Sequence, residues 1–245
     1  MSQNIKSLYT AVILAAGSGR RCGEDISKQF KPVMPDLTLL EISVKAVIPF
    51  AKYLILVLPE KELIFDEEGR IKALSSKLSD LDNRLKRLCL EEEIRLEYCA
   101  GGEARVNSAI AASNLVRTPY IFVHDAARPL VHMDDLERLL TYALEKKAAL
   151  LASPVNDTVK RAYEGIVLET IAREDLWSAQ TPQAFESELY RRALAAYDPS
   201  KTYTDDASLV EALGEAVHIV ASHHPNPKIT YCEDFEWLCE RLKKS

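Results

Sequence analysis

"AVILAAGSGRRCGEDISKQFKP", residues 11–32, opens as a strand and then changes character. Its first six residues are aliphatic or small, the continuous apolar run of a strand buried on both faces. Gly17-Ser18-Gly19 follows, and then four cations, Arg20, Arg21, Lys28 and Lys31. A glycine turn lets backbone N–H groups face an anion without a side chain in the way. The dinucleotide fingerprint needs a third glycine at position 22, where Cys22 stands. The Walker pattern needs Gly-Lys five residues after a glycine, and Cys22 and Glu24 occupy those positions. Fixed cations after the turn suit a triphosphate attacked at phosphorus, where charge builds on the phosphoryl oxygens and on leaving pyrophosphate. The competing reading is a solvated basic loop.

The same alternation continues outward from this stretch. Buried runs at 8–16, 52–59, 94–100, 119–127 and 148–155 read as strands, with a shorter one at 216–221. Residues 37–50, 102–115, 133–147, 185–197, 204–214 and 233–243 carry helical spacing, with Thr204 as the expected N-cap of its helix. Strand–helix alternation predicts an α/β fold with a doubly wound, mostly parallel sheet, in which ligands sit beyond the carboxyl ends of the strands. Residues 156–180 break the pattern, with short β-prone pieces around Glu164-Gly165, and predict an arm leaving the sheet. The charged stretch 59–92 reads as a helical insertion. The whole chain, 1–245, reads as one domain.

Composition narrows the class. The 245 residues are 47% hydrophobic and 28% charged, with a net charge of −6. An acidic chain of this kind does not bind nucleic acid through a general basic surface. No run of about 18 apolar residues is present, so no membrane span is expected. The start, "MSQNIKSLYT", lacks the order of a signal peptide, which leads to a cytoplasmic expectation. Cys22, Cys89, Cys99, Cys232 and Cys239 form neither a CxxC pair nor an even set, which argues against disulfides and a cysteine zinc site. His132, His218, His223 and His224 show no metal-ligand spacing on a common element, so no zinc role is expected for them. Asp125 ends the buried run "YIFVHDAA", where a carboxylate suits Mg²⁺ or caps a turn; His124 points to the opposite side and reads as packed.

Taken in order, "LAAGSGRRCGEDISKQF", "GGEARVNS" (101–108), "VHDAARP" (123–129), "SPVNDTVKRA" (153–162), "AREDLWSAQTPQAF" (172–185), "TDDAS" (204–208) and "NPKIT" (226–230) resemble the motifs of the 2-C-methyl-D-erythritol 4-phosphate cytidylyltransferases. The resemblance covers about residues 10 to 235. It implies a Rossmann-like nucleotidyltransferase fold with a dimerisation arm, and a Mg²⁺-dependent transfer of CMP from CTP to a polyol phosphate. Arg21, Lys28 and Lys228 would be catalytic. Ala15, Ala16, Gly17, Gly19, Gly101, Gly102, Glu103, Ser108 and Ala126 would bind the nucleotide, the two glycine pairs letting backbone approach it closely. Asp125 would hold the metal, Mg²⁺ or another divalent cation. Thr158 and Arg173, on an arm reaching into a partner's site, would grip the substrate phosphate, with Thr181, Thr204 and Asp205 nearby; the working unit implied is a homodimer. Arg105 either contacts phosphate or pairs within its own helix, and Arg128 braces the loop.

The closest alternative is a ribitol-5-phosphate cytidylyltransferase, which shares the loop and metal position. A nucleotide-binding regulatory protein without catalysis is opposed by the presence of Arg21, Lys28 and Asp125. A nicotinamide-dependent dehydrogenase is opposed by Cys22 and the surplus cations. The sequence departs from the family pattern at Ser27, where proline is common, in the longer 59–92 stretch, and at His223-His224-Pro225.

Overall fold

A computed structural model describes residues 3–17 and 27–243. Arg20, Arg21, Gly19 and Cys22 lie outside the described residues. After a short helix α1 (Gln3–Lys6), strand β1 (Tyr9–Leu14) enters the core. A small β2–β3 hairpin (Pro32–Met34, Leu37–Thr38) leads into α2 (Leu39–Val47) and β4 (Tyr53–Leu58). A second hairpin, β5–β6 (Leu63–Phe65, Ile71–Leu74), precedes α3 (Ser79–Glu91), β7 (Arg95–Ala100), α4 (Arg105–Ser113) and β8 (Tyr120–Asp125). Helix α5 (Met133–Lys146) then leads to β9 (Ala148–Pro154) and to a third hairpin, β10–β11 (Val159–Tyr163, Ile166–Ile171). The chain closes with β12 (Trp177–Glu186), α6 (Ser187–Ala195), α7 (Asp206–Glu211), β13 (His218–Ala221) and α8 (Cys232–Lys243).

Seven strands form the central sheet in the order β13-β9-β12-β8-β1-β4-β7. All neighbours are parallel except β12, which runs antiparallel to both β8 and β9. The mostly parallel doubly wound sheet expected from the sequence is therefore present. The apolar strand runs are buried on both faces: one core cluster includes Ile13, Leu54, Leu56 and Phe122, the other Val12, Ile55, Val57 and Val123. Odd and even positions of each strand thus serve opposite layers, as period-2 side chains must. Among the described residues, no helix is long and apolar enough to cross a membrane.

Four expectations are corrected. The arm is narrower than 156–180: the hairpin occupies Val159–Ile171, and the main sheet resumes at Trp177. Its turn is at Glu164-Gly165, both at positive φ (47° and 81°), as a tight two-residue turn requires. Strand β12 runs through residues 177–186, so the next helix begins at Ser187 rather than at 185. Its Pro182 falls where the ladder with β9 breaks register, between Ala179 and Gln183, the kind of position at which a residue without an N–H is tolerated.

The 59–92 stretch is only partly helical, since its first half is the β5–β6 hairpin. It is bound to the core by Arg84, which pairs with Glu41 of α2 at 2.6 Å, and by Tyr98, which donates to Asp82 at 2.6 Å. Finally, α7 is capped by Asp205, not Thr204. Asp205 accepts from the Ser208 N–H at 3.0 Å and from Gln183 Nε2 at 2.8 Å, while Gln183 Oε1 accepts from the Ala207 N–H. A carboxylate with two donors outcompetes the hydroxyl one residue earlier.

Candidate active site

The carboxyl ends of β1, β7 and β8 open on one cleft of about 620 Å³. Register puts Leu14 of β1 beside Asp125 of β8 on one side and beside Val57 of β4 on the other, and Val57 beside Cys99 of β7, so the strand ends lie within one residue of one another. Ala15, Ala16, Gly17, Lys28, Gly102, Glu103, Ser108, Asp125, Ala126 and Lys228 all line it, drawn from five separate stretches of sequence. Gly101 lies directly behind: its N–H donates to the Leu58 carbonyl at 2.8 Å.

The two glycines of "GGEARVNS" have a local packing reason of their own. A Cβ at Gly101 would overlap Ala16 Cβ, and one at Gly102 would overlap Asn107 Cβ. They admit neighbouring protein, and thereby let the turn close on Ser108, whose Oγ accepts from the Gly102 N–H at 3.2 Å. Gly17 is the opposite case, because among the described residues a Cβ there would meet nothing within 4 Å.

Asp125 is the electrostatic centre of the cleft. Its Oδ2 accepts from Lys228 Nζ at 2.7 Å, and its Oδ1 lies 3.5 Å from Arg105 Nη2. Burial works against its charge, but Arg105 and Lys228 outweigh burial and hold the carboxyl at about 2. Arg105 also lines the cleft, and its ion pairs leave its own helix. It reaches Asp206, the fully buried first residue of α7, at 2.6 Å. Burial disfavours the guanidinium charge, yet Asp206 and Asp125 together raise its pKa.

A second layer fixes Asp125 from behind. The Asp125 N–H donates to Thr181 Oγ1 at 3.0 Å, and Thr181 Oγ1 lies 3.1 Å from His124 Nδ1. His124 Nε2 sits 2.9 Å from the Arg128 carbonyl. These contacts form one consistent chain if Thr181 donates to Nδ1 and Nε2–H donates to the carbonyl, which is a neutral imidazole. Burial lowers the His124 pKa to about 4, against the opposing pull of Asp125. His124 is thus the packed histidine expected, and Thr181, only 4% exposed, lies beneath the carboxylate rather than in the cleft.

The segment 226–230 is laid across the mouth. Arg128 Nη1 donates to the Asn226 carbonyl at 2.8 Å, so Arg128 does brace a loop. Asn226 Nδ2 donates to the Thr181 carbonyl, and the Ile229 N–H to the Ala127 carbonyl, each at 2.8 Å. Lys28 Nζ donates to the Ile229 carbonyl, joining the basic loop to the Lys228 strap. Gln29 is a residue that sequence reasoning misses. It is buried and donates to the Ala15 and Gly17 carbonyls at 2.6 and 3.1 Å, fixing the turn after β1. Its only sequence signal is its place beside Lys28.

Other expected site residues are not brought to the cleft within one chain. Thr158 flanks the exposed hairpin, and Arg173 donates to the Asn156 carbonyl at its base. Neither lines the cleft; nor do Thr204 and Asp205. Gly19 and Arg21 fall outside the described residues.

A seven-stranded, mostly parallel α/β sheet with an acid at a strand end, small residues after β1 and cations from three segments defines a nucleotidyltransferase-type site. The comparisons then supply the family. The family model for IspD, 2-C-methyl-D-erythritol 4-phosphate cytidylyltransferase, matches residues 9–240. A relative bearing that name from Acinetobacter baumannii (strain SDF) is 34% identical over 244 residues, covering 96% of this chain and 93% of the relative. Another, from Yersinia pseudotuberculosis serotype O:1b, is 35% identical over 229 residues, covering 91% and 87%. The solved Francisella tularensis 2-C-methyl-D-erythritol 4-phosphate cytidylyltransferase superposes with a TM-score of 0.71 at 28% identity, covering 94% of this chain and 98% of that one. The Thermus thermophilus protein of the same name gives 0.72 at 27%, covering 96% and 98%. The chain belongs to this family and is a nucleotidyltransferase.

Proposed function

We propose that the protein transfers CMP from CTP to 2-C-methyl-D-erythritol 4-phosphate, releasing pyrophosphate, as the names of its relatives state for them. The observation that carries the reading is the Asp125 carboxylate at the end of β8, ionised and flanked by Arg105 and Lys228 over a cleft floored by Ala15–Gly17. An oxygen of the substrate phosphate attacks the α-phosphorus in line, and the bond to the leaving pyrophosphate breaks. The attacking phosphate is already ionised at neutral pH, so no general base is required. Lys28, Lys228 and Arg21 offset the charge that gathers on the α-phosphoryl oxygens and the leaving group. Ala15, Ala16, Gly17, Gly19 and Ala126 leave room for the triphosphate. Gly101, Gly102, Glu103 and Ser108 form the turn that receives the cytosine and ribose.

The donor chemistry fits a hard divalent cation. Mg²⁺ commonly binds through one or two carboxylates plus substrate phosphates, and Asp125 is a single ionised carboxylate facing the space those phosphates would fill. Bound there, Mg²⁺ would neutralise and orient the triphosphate. Lys228 would then yield its place on Asp125 to the cation and remain beside the phosphates.

Thr158 and Arg173 complete a site only if the arm belongs to a partner copy. The hairpin supports this reading, because Tyr163, Ile166, Val167 and Leu168 are each more than half exposed on it. Pairing of two arms would cover them and deliver Arg173 and Thr158 to the neighbouring cleft, near Thr181, Thr204 and Asp205. The working unit is then a homodimer of one-domain chains in the cytoplasm.

The deciding experiment is pyrophosphate release from CTP with Mg²⁺, comparing methylerythritol phosphate with ribitol 5-phosphate. Release with the branched substrate alone is expected. Release with ribitol phosphate alone would move the protein to the other substrate, and CTP binding without release would leave only a regulatory role.

A further inference from the structure

Two of the histidines that show no ligand spacing along the sequence meet in space. His132, at the start of α5, stacks on His224, from the loop after β13, with ring centroids 3.5 Å apart and planes 16° apart. The Asp134 carboxylate stands 3.6 Å from His132 Nδ1. One ligand atom from each of the three residues lies within 4.8 Å of the others. We propose that His132, Asp134 and His224 form a second metal site, separate from Asp125, for a borderline divalent ion of the zinc type.

The donor set decides the class of ion. Two imidazole nitrogens and one carboxylate oxygen, with water as fourth ligand, match Zn²⁺ and its late first-row neighbours, whereas Mg²⁺ prefers all-oxygen surroundings. The surroundings also have the form that orients a metal-binding histidine. Asp135 Oδ2 lies 3.3 Å from His224 Nδ1, the carboxylate–imidazole contact that turns the other nitrogen outward as a donor. Asp135 is 1% exposed and is held rigidly: it accepts the N–H groups of His223 and His224, each at 3.0 Å, and the Ser222 hydroxyl at 3.1 Å.

His132 Nδ1 accepts only a long bond from the Asp134 N–H, at 3.3 Å. Because imidazole donates in its ring plane, the stacked rings must turn toward one ion to share it, and the His132 and His224 side chains, 45% and 38% exposed, have solvent to turn into. An ion here would pin the segment that follows Asp125 to the segment that leads to Lys228.

The test is a Co²⁺ and Zn²⁺ titration of the full chain carrying Asp125→Asn, which removes the competing carboxylate in the cleft. Co²⁺ is read by its visible absorption and Zn²⁺ by competition with a chromophoric chelator. One ion per chain is expected, with affinity falling at least tenfold in His132→Asn and in His224→Gln. Asparagine still caps α5, so His132→Asn keeps the fold while losing the ligand; circular dichroism and melting temperature check this. Binding of no ion, binding unchanged in both histidine variants, or binding lost instead in Cys232→Ser would overturn the assignment.

Discussion

Lys228 sets its ammonium 2.7 Å from Oδ2 of Asp125, although the strap that carries it joins the chain far from β8. The pair is asymmetric, since the lysine side chain is 49% exposed and the aspartate 14%. Half of the interaction is therefore in water, and such pairs add little to stability, about 0–1 kcal/mol. The same ammonium is well placed to meet charge that develops in the cleft. Lys228→Met should change the unfolding free energy from urea curves by no more than about 1 kcal/mol while reducing turnover about a hundredfold, the usual cost of one lost transition-state donor. Parallel loss of both, or of neither, would remove Lys228 from the chemistry.

Arg105 presents the reverse balance. Asp206 is fully buried, and besides Arg105 it has the Tyr190 hydroxyl at 2.6 Å. Arg105→Met strands a buried carboxylate and should cost roughly 3 kcal/mol in chemical denaturation. Asp206→Asn removes the stranded charge. The double variant should therefore be more stable than the sum of the single losses implies, by over about 1 kcal/mol. Additive losses would mean that the bridge between α4 and α7 contributes nothing as a pair.

These two residues also mark how far the sequence could be read. Asp125 was legible because an acid at the end of a continuous buried run has few structural uses. The parallel strands were legible for the same reason, since a sheet covered on both faces needs unbroken aliphatic runs. Strand β12 was not. "WSAQTPQAFE" is polar and carries a proline, and it is a strand because β8 and β9 leave a gap that its backbone fills. Arg105 could be placed on α4, but its partner Asp206 sits on another helix, and no spacing reports such a pair. His132 and His224 failed for the same reason: their nearness is created by Asp135 gathering the 222–224 loop.

Glu41 gives a prediction in pH. It lies 4% exposed at the third position of α2, where it completes a capping box with Thr38 and accepts from Arg84. Burial opposes its charge, but the Arg84 and Thr38 hydrogen bonds prevail and lower its pKa below the ordinary 4.5. A depressed carboxyl pKa stabilises the fold above the unfolded value, and that contribution is lost as pH falls through the folded one. Glu41→Gln should cost roughly 2 kcal/mol at pH 7, as expected for disrupting a buried hydrogen-bonded group. Below about pH 4.5 the gap from the parent should narrow. Denaturant curves at pH 7 and pH 3.5 measure both, and a constant gap would show that the ionised carboxylate is not the source.

Gly17 and Gly101 offer one substitution with two opposite outcomes. An alanine at 101 would press its Cβ into Ala16 and stand 3.1 Å from Ser108 Oγ, so the fold itself must shift. Overpacking of this kind costs about 1–3 kcal/mol, and Ala16→Gly in the same chain should recover part of it. An alanine at 17 meets no atom of the described residues within 4 Å, so the melting temperature should hold. Gly17 itself lines the cleft, as do Lys28 and Ala126, so the added methyl group changes the cleft wall. CTP affinity, measured by calorimetry, should fall for Gly17→Ala while stability stays level. Unchanged affinity there would mean that the triphosphate does not pass over the turn after β1, and the site would have to be redrawn around Gly102 and Glu103.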